Sequence, residues 1–267
     1  MKLRYFNYLH QKLFVFLIMK KILFVFLFLP LISFAQIQSG EIIYKVKSLE
    51  KSKNKTDTIQ PENSTEESAK QYLGDVFAQK DQAIPYLRFN LEFNHNEALF
   101  QAQKNIAIDN GPNLDLGLNA IGGKGVFYSN LSQNENIHQK EYLKLVRINT
   151  KISDLNWEIK DEFKTIAGYQ CQKAITHIYI NSSHPEKEIT VWFTKELPFS
   201  FGPLGMVGLP GMILGVKRFK YFIYADEIKL SKKDKKIIPP KKGEKVTIDY
   251  IKEVDKKLEE DPLKYSE

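Results

Sequence analysis

Residues 197–216 read LPFSFGPLGMVGLPGMILGV, twenty positions without one charged side chain. The length and apolarity of this stretch would suit a membrane-spanning helix, which needs about 20 residues. Its three prolines and five glycines argue against such a helix, because they interrupt the backbone hydrogen bonds and favour turns. Pro210-Gly211 fits the central positions of a type II turn, where proline fixes φ at about −65° and glycine supplies the positive φ. The stretch therefore predicts an apolar loop tucked against a sheet, with a rim that contacts a partner or a membrane as the alternative.

The rest of the chain shows mainly the two-residue period of β-strands. Phe89, Leu91 and Phe93 alternate with polar residues, and after the polar break at 94–96 the period resumes at Ala98, which predicts a hairpin. Short connections favour antiparallel pairing, because parallel strands need crossovers of a dozen or more residues. Further strands are predicted at residues 42–47, 125–131, 137–149, 157–166, 169–180, 188–194 and 219–229.

Several of these strands are apolar on both faces. Tyr221 and Ile223 point one way, and Phe222 and Tyr224 point the other, so the sheet must be covered on both sides. A covering helix is predicted over residues 64–82 by the capping box of Ser64 with Glu67 and by an apolar stripe. The stripe consists of Ala69, Tyr72, Leu73, Val76 and Phe77. We therefore expect a mainly β fold: a curved antiparallel sheet, as an open barrel or bowl, with one covering helix and a short C-terminal helix.

A lysine-rich extension begins at about residue 230. Residues 231–245 hold seven lysines around Pro239-Pro240, and residues 249–259 then have the apolar spacing of a short helix. The lysines are interpreted as a solvated excursion. Contact with anionic outer-membrane lipid is the alternative, since each lysine near such a surface adds about 1 kcal/mol.

The N-terminus has the features of a secretory signal peptide at residues 1–35. Lys20-Lys21 precedes the apolar run 22–34, and Ala35 provides the small residue before the cleavage point. Since Met19 is itself a plausible start, residues 1–18 are interpreted as a start-site artefact. Five of the seven net positive charges lie in this leader, which argues against nucleic-acid binding. The mature protein, predicted as a single β-rich domain of residues 36–267, is expected in the periplasm, at the outer-membrane periphery or secreted, and not as an integral membrane protein.

No residue pattern in the chain predicts a catalytic, cofactor or metal site. The loop glycines lack the lysine and hydroxyl residue that a phosphate-binding loop requires, and nucleophile-elbow, HExxH, EF-hand and CxxC motifs are absent. Cys171 is predicted to be a buried apolar residue. His177 and His184 flank a predicted turn and are interpreted as ordinary surface or strand histidines. Thr58, within Asp-Thr-Ile, resembles an O-glycosylation acceptor.

The glycine-proline loop also carries a family resemblance. Its core resembles the signature of the GLPGLI family, with methionine in place of the second leucine, at Gly208, Leu209, Pro210, Gly211, Met212 and Ile213. Residues 167–174 (AGYQCQKA) and 191–194 (VWFT), followed by Leu197-Pro198, resemble other motifs of that family. The family consists of exported proteins without an established activity. It is also similar to the bowl-shaped N-terminal domain of type II flavobacterial peptide:N-glycosidase. The resemblance implies a β-bowl and export, and it transfers no catalytic residue.

These observations favour a non-enzymatic exported protein that binds an apolar ligand, a peptide or an envelope partner, without a cofactor. Two alternatives stay open. One is an accessory to an outer-membrane transporter that docks through the glycine-proline loop. The other is a hydrolase of envelope glycans or peptides.

Overall fold

The computed structural model describes residues 37–49, 64–103 and 112–261. The predicted signal peptide and Thr58 lie outside these residues. The strands are β1 Ser39–Ser48, β2 Arg88–Asn94, β3 Glu97–Ala102, β4 Val126–Asn130, β5 Glu135–Glu141, β6 Leu145–Lys151, β7 Glu158–Ile166, β8 Tyr169–Ile178, β9 Lys187–Thr194, β10 Met212–Arg218, β11 Tyr221–Ser231 and β12 Glu244–Thr247. The α-helices are α1 Ser64–Ala83, α2 Leu114–Ile121 and α3 Ile248–Glu260. In the described part of the chain, no helix is long and apolar enough to cross a membrane.

All twelve strands belong to one sheet, in the order β12-β6-β5-β4-β3-β2-β1-β11-β10-β9-β8-β7. Every neighbouring pair is antiparallel except β12 with β6, which is parallel. The predicted fold class, a mainly β curved sheet that stays open, is confirmed. One expected strand, 137–149, is instead the hairpin of β5 and β6, because the residues between them form a turn.

The covalent chain requires this sheet to curl. Strands β6 and β7 are ten strand spacings apart in the sheet order, which is about 48 Å in a flat sheet. The chain nevertheless passes directly from β6 to β7 through residues 152–157, and seven residue steps span at most about 25 Å. A flat arrangement is therefore impossible, and the two edges bend toward each other around a concave face.

The glycine-proline loop lies on this concave face, as predicted. The large apolar side chains of residues 197–209 are at most 5% exposed: Leu197, Phe199, Phe201, Leu204, Met206, Val207 and Leu209. Phe199 packs on Phe93 of β2 with ring centroids 4.7 Å apart. The Asn136 side chain of β5 donates to the Gly205 carbonyl (2.9 Å). The loop thus spans the concave face and forms a large part of the core.

Two details of the loop differ from the sequence-based expectation. Residues from Met212 onward belong to strand β10, so the loop ends earlier than expected. At Pro210-Gly211 the Gly211 amide donates to the Leu209 carbonyl (2.8 Å), the pattern of a three-residue γ-turn and not of a type II turn. Glycine is required at 211 by close approach, since a Cβ there would lie 2.1 Å from the Thr194 carbonyl oxygen.

Helix α1 is present where it was predicted, but its described aromatic side chains do not cover the sheet. Tyr72 is 69% exposed and Phe77 is 56% exposed. The amphipathic pattern correctly indicated a helix, and its C-terminal end meets the fold through the buried Ala83 and through Asp81, which accepts from Lys220 (3.1 Å). The short helix α2, which was not predicted, packs there instead: a Cβ at Gly117 would lie 2.9 Å from the Ala83 side chain, and Ile121 is fully buried.

The convex face is covered by two other segments. Over one half, Ile166 at the end of β7 folds against Gly215, and the Lys164 ammonium lies 4.1 Å from the ring centroid of Trp192 and 4.4 Å from that of Phe222. Over the other half runs the lysine-rich segment 232–243, which buries Ile237 against Tyr128 and Ile137. These lysines are not all solvated as expected: Lys235 pairs with Glu92 (3.2 Å) and Glu41 (3.9 Å) on the sheet.

Phe199 of the loop is buried and Phe77 of α1 is exposed, and this difference can be tested by measuring stability. Phe199→Ala should reduce the free energy of unfolding by about 3–5 kcal/mol, because it leaves a cavity between the loop and β2. Phe77→Ala, the same truncation on the exposed face of α1, should change it by no more than about 0.5 kcal/mol. Urea unfolding of the mature chain measures both. Equal effects of the two substitutions would contradict the packing described above.

Candidate functional site

Polar side chains converge at one end of the concave face. This end carries the β5–β6 turn, the β8–β9 connection and the β10–β11 turn, which antiparallel pairing places on the same side of the sheet. We name the residues that meet there with helix α3 the rim cluster: His138, Lys140, Tyr142, Tyr179, Arg218 and Asp255. The aromatic core and the glycine-proline loop lie below them.

Asp255 connects two segments that lie near opposite edges of the curled sheet. Its carboxylate oxygens accept hydrogen bonds from the hydroxyls of Tyr142, in the β5–β6 turn, and Tyr179, just after β8. Helix α3 can hold this position because Ile251, one turn before Asp255 on the same face, and Val254 are buried. Burial and the bonds to Asp255 raise the pKa of both tyrosines well above the usual value, so they stay protonated as donors.

Arg218 is the last residue of β10, and its guanidinium is largely enclosed. Its Nε is buried and has no hydrogen-bond partner in the described part of the chain. The group lies against Gly122, where a Cβ would come within 2.3 Å of Nη1. Gly122 also ends α2 with a left-handed φ of 67°, so glycine is required there for two reasons. Burial lowers the pKa of Arg218 to about 10, which leaves it charged at neutral pH.

His138 and Lys140 project from β5 toward the same region. The His138 ring stacks on Phe127 with centroids 3.9 Å apart, and its Nε2 is 2.9 Å from the Lys124 carbonyl oxygen. Burial lowers the pKa of His138 to about 3, with smaller contributions from the positive charges of Lys140 and Arg218. It is therefore neutral at pH 7 and donates to the carbonyl through Nε2. The pKa of Lys140 is lowered by burial and by Arg218, and raised by Asp255.

The residue after Arg218 has a strained backbone. Phe219 has a φ of 52°, an unusual value for a bulky side chain. Its ring is contacted by the Lys187 ammonium (5.0 Å from the centroid), by His184 edge-on (5.2 Å) and by the Arg218 guanidinium (5.9 Å). The β10–β11 turn therefore holds three basic side chains around one aromatic ring beside the rim cluster.

The chemistry of the rim cluster is that of binding through charge and hydrogen bonds. It contains two cations, Arg218 and Lys140, one carboxylate already engaged by two hydroxyls, and a neutral imidazole. Among residues 37–49, 64–103 and 112–261, no group of three or more His, Cys, Asp and Glu side chains is placed to hold a metal ion. The arrangement offers hydrogen-bond donors and positive charge to a ligand approaching from the open end of the bowl.

Of the residues that the sequence singled out, His184 lies beside the rim cluster at the Phe219 ring, and none belongs to the cluster itself. Cys171 is fully buried, as predicted, and burial raises the pKa of its thiol to about 11, so it is protonated at neutral pH. His177 and His184 are both exposed, and His184 bonds to the Asn181 side chain (3.2 Å). The motif turn 208–213 belongs to the loop and β10. Arg218 was missed because β10 was assigned to the loop; a strand there would have placed Arg218 on the same face as Val216.

Comparison with known proteins adds a family similarity over part of the chain. Residues 125–255, just under half of the sequence, match the family described as N-glycanase peptide, N-terminal domain, of PNGase F-II. This part of the chain is similar to that domain. It includes β4 to β12, the first eight residues of helix α3 and all six residues of the rim cluster.

Two solved structures of PNGF-II, in P21 and C2 space groups, are also similar. Each is 18% identical with a TM-score of 0.46, and the matches cover 80% and 82% of this chain. The chain spans about a third of the length of those proteins, 32% and 33% respectively. No curated protein matches this sequence.

The neutral state of His138 should make the fold sensitive to acid. A histidine with a folded pKa of about 3 and an unfolded pKa of about 6.5 favours folding above pH 6.5, and this contribution is lost as the pH falls toward 3. Between pH 7 and pH 5 it should cost the wild type about 2 kcal/mol of unfolding free energy, relative to His138→Gln. Urea unfolding at the two pH values measures this difference. The exposed-site substitution His184→Gln should behave as wild type; a wild-type response from His138→Gln would contradict the assignment.

Removing the Asp255 carboxylate should loosen the junction between the sheet ends. Asp255→Ala leaves the hydroxyls of Tyr142 and Tyr179 without their acceptor and should lower the unfolding free energy by about 2 kcal/mol. Amide hydrogen exchange should rise in residues 142–144 and 179–184. Glu253→Ala, an exposed acid of the same helix, is the matched control and should change neither quantity. Unchanged exchange in Asp255→Ala would show that the helix does not hold the two ends together.

Proposed function

We propose that the protein is an exported, non-enzymatic binding protein whose ligand or envelope partner binds at the rim cluster. The observation that carries this proposal is the contrast between the two ends of the concave face. One end is filled by the buried side chains of the glycine-proline loop, whereas the other presents half-buried polar groups from four separate chain segments. Half-buried polar groups held on a rigid scaffold are typical of recognition surfaces.

Export is supported by the sequence. The basic segment, apolar run and small residues of 1–35 have the form of a cleaved signal peptide. The chain is similar to the N-glycanase N-terminal domain. We propose that it also belongs with the GLPGLI family, because residues 208–213 resemble the signature of that family. Both resemblances favour a binding module, and neither supplies a catalytic residue.

The packing of the loop narrows the choice of ligand. Asn136 donates to the Gly205 carbonyl (2.9 Å) and Trp157 donates to the Val207 carbonyl (2.9 Å), so two separate segments fix the loop backbone. An apolar ligand would have to displace these bonds to enter the core. A peptide or envelope partner that contacts the rim does not, and we therefore favour that ligand class.

Site-specific photo-crosslinking in intact producing cells tests the proposal. A photo-reactive residue at His184, which is exposed beside Phe219, should give an adduct of one defined mass that excess unlabelled mature protein competes away. The same residue at Tyr224, on the convex face, or at the buried Leu209 should give none. Capture from Leu209 would favour docking through the loop, and equal capture from Tyr224 would contradict binding at the rim cluster.

N-terminal sequencing of the protein from producing cells tests export. The sequence should begin at Gln36; an uncleaved leader would contradict export of a mature form.

A further inference from the structure

We propose that the rim cluster binds an oxyanionic group of its ligand, a carboxylate or a phosphate, between the Arg218 guanidinium and the Lys140 ammonium. This inference rests on the proposed function, because it specifies the chemistry of the ligand that the rim receives. Its basis is a charged side chain that the fold encloses and leaves incompletely bonded.

Arg218 has no carboxylate partner among the described residues. Its contacts there are the backbone at Gly122 and the ring of Phe219, neither of which neutralises its charge. Its Nε is buried and makes no hydrogen bond. Burying a charged group costs several kcal/mol unless a partner compensates, and buried polar atoms are paired in the great majority of structures. A buried Nε without a partner therefore indicates a partner that is not among the described residues, and we assign that role to the ligand.

The free part of the guanidinium has the geometry that oxyanions prefer. The Nε–H and one Nη–H of arginine form a planar fork that matches two oxygens of a carboxylate or phosphate. Gly122 lies against the face of the guanidinium, since a Cβ there would be 2.3 Å from Nη1, 2.5 Å from Cζ and 2.6 Å from Nη2, and the buried Nε has no partner on its edge among the described residues. The unpaired donor is thus on the edge that gives bidentate binding, and this edge has to open when the anion binds because Nε is buried.

Lys140 adds a second positive charge. Its ammonium lies 5.3 Å from the Tyr142 ring centroid and makes no ion pair among the described residues. The loop after α2 lies against both cations: a Cβ at Gly125 would lie 3.1 Å from the Lys140 Cβ, and Gly122 contacts the Arg218 guanidinium. Burial and, to a smaller extent, the charge of Arg218 lower the pKa of Lys140, in keeping with repulsion between the two cations. An oxyanion between them would convert this repulsion into two attractive interactions.

The remaining charges nearby are compatible with an anion. His138 is neutral and its Nε2 is occupied by the Lys124 carbonyl, so it neither adds charge nor competes. Asp255 would repel an anion, but two tyrosine hydroxyls stabilise its negative charge. Lys187, at the Phe219 ring, increases the positive potential at the entrance.

Binding of inorganic phosphate and of acetate to the mature protein tests the inference. Isothermal titration calorimetry and thermal unfolding are compared at equal ionic strength, with chloride as the reference anion. Phosphate or acetate should bind wild type and raise its unfolding temperature. Binding should weaken at least about tenfold in Arg218→Met and several-fold in Lys140→Gln, because bidentate charged hydrogen bonds are lost. Lys217→Gln is the matched control: it removes one positive charge from the adjacent, exposed residue of the same strand and should bind as wild type.

The stability of Arg218→Met distinguishes a binding residue from a structural one. Without an anion, replacing an uncompensated buried charge by an apolar side chain should leave the unfolding temperature unchanged or raise it. A lower unfolding temperature for Arg218→Met in chloride would show that Arg218 stabilises the fold, and it would overturn the inference. So would the absence of any anion effect on wild type, or equal effects in wild type and Arg218→Met.

The outcomes also separate this inference from the proposed function. Crosslinking from His184 without phosphate or acetate binding would leave the rim as the binding surface and overturn its oxyanion chemistry. Anion binding without crosslinking would keep the oxyanion site and reject a macromolecular partner. Preference for phosphate over acetate, or the reverse, would identify which oxyanion the ligand carries.

Discussion

The short connection between β6 and β7 is the constraint on which the rest of this structure depends. Because residues 152–157 join strands that lie ten spacings apart in the sheet order, the sheet must bend until its two edges approach. This curvature creates a concave face with two ends of different chemistry. It also brings Tyr142 and Tyr179, from strands eight spacings apart, to one carboxylate on α3.

The concave face of a curved sheet must be covered by apolar side chains. Here the glycine-proline loop, and not a helix, supplies them. Aromatic and aliphatic side chains of the loop pack onto β2 and β4, while its glycines permit close approach: a Cβ at Gly202 would lie 2.5 Å from Ile213. A charged residue in this loop would be buried without a partner, at a cost of several kcal/mol, which explains why the stretch contains none. The polar residues of the fold are displaced to the rim, where they are partly hydrated.

The sequence was most informative where one periodicity persisted over several residues. The strands, helix α3 and the buried state of the loop followed from alternation, spacing and the absence of charge. The position of α1 relative to the sheet did not follow from the sequence. An apolar stripe shows that a helix has an apolar and a polar face, but it does not show which surface the apolar face contacts. The eight residues of α2 are too few for a clear period, and the left-handed Gly122 at its end became meaningful only once Arg218 was seen against it.

The rim cluster was beyond sequence reasoning for a similar reason. Its members are spread from His138 to Asp255, and no two of them form a known motif. They meet only because the sheet curls and α3 joins its ends, which is a property of long-range pairing. One signal was available, the charged Arg218 two residues after Val216 on the inward face of β10. It could not be recognised because residues 212–216 were predicted as loop and the strand was therefore not expected.

The curvature itself is best tested by a distance across the opening. Two nitroxide labels, at the exposed residues Leu143 and Ser183 in a Cys171→Ala background, can be measured by double electron–electron resonance. The fold places the labelled segments beside the same helix, so the distribution should be centred below about 25 Å, allowing for the labels' own length. A distance near the flat-sheet separation of about 38 Å, which corresponds to eight strand spacings, would contradict the account.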